Sequence, residues 1–178
     1  PDYRPEYPDL LELLKTYMSA VGLRTEYKIH GQIRDLQTRQ QGALHDAMIW
    51  HGDGGMAVLF DARYYIPSNR SWSSWANMWA NWYVSGGEAG EEPPANIKEM
   101  MNNYDQMLQT SSLQRQKDLM RSILDQHLEH MYVIGTVMGG NSYAVAHNRL
   151  QNVPPWWWSS WPYPDPAPIR FEQLWVQE

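Results

Sequence analysis

No cysteine occurs among the 178 residues, and phenylalanine occurs only twice. The first absence excludes disulfides, thiolate metal sites and a cysteine nucleophile. Basic residues are also scarce: 14 Lys and Arg stand against 20 Asp and Glu, for a net charge of -6. Such a chain lacks the positive field that draws a nucleic-acid backbone or an anionic membrane, so neither is expected as a partner. No apolar run approaches the ~20 residues that cross a bilayer. The opening PDYRPEYP shows no charged-then-apolar signal order. Catalytic signatures are missing as well. The glycines of SGGEAGEEPP (85–94) have no Lys or Thr following at P-loop spacing, and no G-x-S-x-G elbow is found.

In place of phenylalanine the chain has 10 Trp and 11 Tyr. Aromatics with a polar handle are favoured where a surface must be apolar and still hydrogen-bond, which points to a wet binding cleft. The length suits one domain over residues 1–178, burying roughly 70% of its unfolded surface without staples.

The stretch His45–Gly55, HDAMIWHGDGG, organises the reading. Ala47 to Trp50 is apolar, long enough for a buried strand and too short for a helix. It runs into His51-Gly52-Asp53-Gly54-Gly55, a glycine-rich turn of the kind that presents side chains to a ligand. Asp53 can equally close an Asx-turn, and Trp50 can equally fill core.

Around it, spacing predicts a helix over 8–21 with Leu10, Leu13, Leu14, Tyr17, Met18 and Val21 on its apolar face, ended by Gly22. Alternation predicts a strand over 24–29, and a short polar helix follows over 32–41. With the strand at 46–50, this makes a right-handed parallel crossover. A long loop covers 56–70. Trp72, Trp75, Trp79 and Trp82 then recur at spacings of three, four and three, one stripe of a helix that serves either as core or as a ligand platform. Helices are expected over 95–109 and 113–130 as an antiparallel pair, the second capped by Ser111 with Gln114. Strands are expected at 131–137, 143–147 and 169–176. The tail PPWWWSSWPYPDPAP reads as an irregular strap, with Trp156, Trp157, Trp158 and Trp161 either packed beneath it or stacking on sugars.

Candidate chemistry is sparse. His127 and His130, three apart on a predicted helix, could touch one ion, although the spacing is wrong for H-E-x-x-H. Asp46, Asp53 and Asp61 give no readable carboxylate pair. Nothing singles out an enzyme, and neither a metal nor a cofactor is expected.

Five pieces carry more than local information: YPDLLELLKTYMSAVGLRTEYKI, DAMIWHGDGG, WYVSGGEAGEEPP, LMRSILDQHLEHMYVIGTV and NRLQNVP. In this order and spacing the chain resembles the C-terminal part of family-5 extracellular solute-binding proteins, the oligopeptide- and dipeptide-type receptors of ABC importers. The resemblance implies an α/β fold, one lobe of a type II periplasmic-binding-protein-like clamshell with a mixed sheet covered by helices. It also implies a periplasmic or extracellular protein that captures a peptide or an oligosaccharide and delivers it to an ABC permease. In peptide-binding members a Trp-x-x-Asp at this strand end pairs with the ligand's amino terminus, a pattern met here by Trp50 and Asp53. The candidate ligand-binding set is Trp50, His51, Asp53, Trp72 and Trp75. The chain is far shorter than a complete receptor and lacks one lobe, so a truncated fragment is expected, with a homodimer as its consequence. The alternative is a carbohydrate-binding module built on Trp156–Trp161.

Overall fold

Local sequence rules act most visibly on the helices. A computed structural model describes residues 5–52, 58–137, 143–158 and 167–177. Among these, five helices form: α1 (Glu6–Ala20), α2 (Ile33–Gln41), α3 (Asn77–Ser85), α4 (Ala95–Gln109) and α5 (Leu113–His130). Two compact units are distinguished, Pro1–Gly52 with Leu59–Val133, and Asp53–Val58 with Ile134–Glu178.

The core of the first unit lies along the α4–α5 pair. Ile97, Met100, Met101, Tyr104 and Met107 are buried on α4, and Leu119 and Ile123 on α5. Both helices occupy the spans that their apolar spacing predicts. Helical spacing would place Leu108 on the buried face of α4 and Leu124 and Leu128 on that of α5, yet all three are exposed; on α5 the buried positions are Leu119 and Ile123. Asn103, also buried, donates to Ser122 Oγ at 3.1 Å across the seam. The α5 cap is Ser112 rather than Ser111: its hydroxyl accepts the Arg115 N–H at 3.3 Å. The shift follows from how α4 ends, since Thr110 Oγ1 already accepts the Ser112 N–H at 3.2 Å. Gln116 closes the hairpin by donating to the carbonyls of Met107 and Thr110.

The segment after Leu59, expected to be loop, is part of this core. Ala62, Arg63, Ile66 and Pro67 are buried although they lie in no helix or strand. Two helix side chains hold it. Tyr104 donates its hydroxyl to the Leu59 carbonyl at 3.2 Å, and the His127 ring meets the Tyr65 carbonyl through Nε2.

Helix α1 departs from expectation in packing, not in place. None of its residues is buried; Leu13, Tyr17 and the flanking Val21 are 47, 60 and 73% exposed. Two of its side chains reach the segment that follows. Lys15 pairs with Glu26 at 3.6 Å, and the Tyr27 hydroxyl donates to Glu12. Gly22, with φ +83°, makes the turn between them.

Among the described residues the expected mixed sheet is not present, and the structure is mostly helical. Residues 24–29, 46–50, 131–137 and 143–147 form no strand. Alternation prepares a segment to have two faces, but a strand also needs a neighbour to bond. Residues 24–28 are instead tied to α1 through side chains, as above. Met131 caps α5 in the left-handed conformation at φ 52°, which turns the chain where a strand was expected to begin. The sheet among the described residues lies in the second unit. There Leu150–Gln151 (β1) pairs antiparallel with Trp175–Val176 (β2). Of the strand expected over 169–176 only β2 forms, because Ala167–Ile169 and Phe171–Gln173 are 3-10 turns. The ribbon is fastened by Arg149, whose Nε donates to the Gln177 carbonyl at 2.7 Å, and by Asn152, which donates to the Gln173 carbonyl at 2.9 Å.

One glycine is indispensable to the loop between α3 and α4. Gly90 has φ +90°, and a Cβ there would meet the Met78 carbonyl oxygen and stand 2.6 Å from the Trp82 nitrogen. Gly22 has a similar φ but faces open space. Gly22→Ala should therefore cost roughly 1 kcal/mol, the left-handed strain alone. Gly90→Ala should cost clearly more, because backbone must also move. At about 2–4 °C per kcal/mol, thermal unfolding resolves the two. Equal shifts would show that the close approach at Gly90 is not felt.

Candidate functional site

The stretch from His45 to Gly52 belongs to the first unit, and Asp53 lies outside the described residues. Arg39 on α2 donates to the Leu44 carbonyl and so fixes the entry to the stretch. His45 is half-buried. Burial first, and then the Arg39 guanidinium, hold its imidazole below the ordinary value of 6.5, with Asp46 pulling the other way and His30 adding to Arg39. Trp50 and His51 lie half-buried with ring centroids 4.8 Å apart and planes tilted by 35°.

The loop from 59 to 76 supplies the next candidates. Asp61 pairs with Arg63 at 2.6 Å and also accepts the Arg63 N–H at 3.3 Å. Both side chains are largely buried, so the pair operates at lower dielectric than a surface bridge. Burial first, and then the charges of Asp61 and Asp105, raise the Tyr104 phenol above its ordinary value, which keeps it a donor to Leu59. Further along, Asn69 Oδ1 accepts the N–H groups of Ser71 and Trp72, both at 3.0 Å. The Asn69 N–H donates to Ser73 Oγ at 2.9 Å, and Ser73 is fully buried. Gln40, buried on α2, reaches the Ser73 carbonyl at 3.4 Å. The outcome is a fixed turn that leaves the Trp72 indole 44% exposed.

Trp75 is placed differently. The predicted helix over all four tryptophans is interrupted, because Ala76 takes the left-handed conformation at φ 48° and α3 starts only at Asn77. Trp72 and Trp75 therefore sit on the preceding loop, with Trp79 and Trp82 on the helix. Trp75 stacks on Tyr132 with centroids 4.9 Å apart and planes 10° from parallel. Trp79 and His127 meet Trp75 edge-on at 6.4 and 5.6 Å. Tyr132 is anchored by Asn96, whose amide donates to its hydroxyl at 2.6 Å, and His130 lies against it at 5.4 Å.

The four described candidates, Trp50, His51, Trp72 and Trp75, thus fall into separate groups by their ring contacts. Trp50 pairs with His51, Trp75 joins a cluster with Trp79, His127 and Tyr132, and Trp72 stands out on its turn. Tyr132 and Asn96 were not legible as site residues. They are 36 residues apart, and no spacing signal links them. His127 and His130 both border Tyr132, and no group of three or more His, Asp or Glu among the described residues could hold a metal ion. What the arrangement offers is stacking surface, an imidazole and polar edges.

Two outcomes follow from this geometry. Tyr132→Phe keeps the stack and loses only the Asn96 bond, about 0.5–1.5 kcal/mol. Tyr132→Ala also removes several aromatic pairs, at about 0.5–1.5 kcal/mol each. Urea unfolding measures both costs, and near-UV dichroism should change strongly only for Tyr132→Ala. An equal cost for the two would show that the stack contributes nothing. His45 gives a pH dependence. Its folded-state pKa is lowered, so its contribution to stability is complete above 6.5 and is lost as pH falls through the folded-state value. His45→Gln should flatten the stability–pH curve on the acid side of 6.5 and change it little at pH 8. Unfolding midpoints across pH 5–8 check this, and an unaltered acid limb would rule it out. Neither the models of known protein families nor the curated proteins give a match to this chain.

Proposed function

We propose that the chain is a ligand-binding part of the receptor of an ABC-type importer, capturing a peptide or oligosaccharide outside the cytoplasm and passing it to the permease without catalysis. The observation that carries this reading is the half-buried Trp50–His51 pair that precedes the Gly-rich sequence 52–55, with the Trp72 indole held outward on a hydrogen-bonded loop. Aromatics that are neither sunk in core nor scattered over the surface suit a ligand with both apolar and polar edges. The finer fold assignment, one lobe of a type II binding-protein fold, belongs to the same proposal. Residues 24–29 carry the alternation of a strand, and among the described residues no backbone hydrogen bond engages them. A receptor sheet would supply that partner.

The second reading is a carbohydrate-binding module on the tail, and one observation favours it. Trp156 and Trp158 are 69 and 62% exposed. Their rings cross at 88° with centroids 6.2 Å apart, so these two present no common plane; Trp161 lies outside the described residues.

Asp53 separates the ligand classes. If its carboxylate meets a ligand's amino terminus beside the Trp50 indole, the pair is partly desolvated, and removing one partner costs about 2–5 kcal/mol. In the full-length protein Asp53→Asn should weaken a tripeptide such as trialanine by at least about tenfold, or about 1.4 kcal/mol. A neutral oligosaccharide such as cellotriose should be little affected, because an amide still serves hydroxyls. Titration calorimetry with both probes, repeated on Trp156→Ala with Trp158→Ala, decides. Unchanged peptide affinity in Asp53→Asn removes the amino-terminus role. Sugar binding that disappears only with the two tail tryptophans transfers the function to the module.

A further inference from the structure

We draw no further inference here: the strongest candidate, the exposed apolar face of α1 (Leu13, Tyr17) with the unladdered segment 24–29 beside it, carries nothing because nothing in the structure shows what covers it.

Discussion

The first unit depends on two helices holding a loop by its carbonyls. Along α4 and α5, Ile97, Met100, Met107, Leu119 and Ile123 leave water together, and each buried side chain of this size contributes about 1.5–3 kcal/mol. That seam sets the positions from which Tyr104 and His127 reach the backbone at Leu59 and Tyr65. A buried loop must find partners for its carbonyls or carry their desolvation cost. Here the partners come from the helices, so Ala62, Ile66 and Pro67 can join the core without forming a helix or strand. The backbone at Leu59 and Tyr65 is therefore placed by the α4–α5 pair, while Gln40 on α2 reaches the Ser73 carbonyl further along.

Charge placement serves the same end. Burial with nearby carboxylates raises Tyr104, and burial with its bond to Asp105 raises Tyr83, so both phenols stay protonated across the physiological range and act as donors. Lys98 links α4 back to the glycine-rich loop by pairing with Glu92 and standing 5.3 Å over the Trp82 ring. These contacts are modest singly, since exposed ion pairs contribute about 0–1 kcal/mol. Their effect is to fix where α3 ends and α4 begins, with Gly90 fitting against the Met78 and Trp82 backbone between them.

How much of this was legible depends on the range of the interaction. Helices α4 and α5 were read to the residue because i, i+3, i+4 spacing and a Ser cap are local signals. Even there the cap is Ser112 and not Ser111, with the Ser112 N–H itself bonded to Thr110 Oγ1. Helix α1 was placed within two residues, yet its burial was misjudged, because an apolar stripe states which side would be buried and not what buries it. The tryptophan stripe shows the same gap. Its spacing is helical throughout, but the Asn69–Ser73 turn and the left-handed Ala76 keep Trp72 and Trp75 off the helix. Trp50 and His51 were read as candidates from the glycines that follow them. Tyr132 was not, since its stacking partner lies in another segment and its own neighbours mark only the end of α5.

The strands failed for a related reason. A helix satisfies its backbone within its own sequence, whereas a strand needs a second segment at about 4.8 Å. Residues 24–29 alternate Thr25, Tyr27 and Ile29 with Arg24, Glu26 and Lys28, a pattern selected for two unlike faces. In the described structure Glu26 and Tyr27 answer to α1 by side-chain contacts, while the backbone makes no ladder. Side-chain ties of this exposed kind are weak beside a ladder in a buried sheet. Among the described residues no backbone hydrogen bond engages 24–29. The helical seam, by contrast, satisfies its backbone within α4 and α5 and buries Met100 and Ile123 along them.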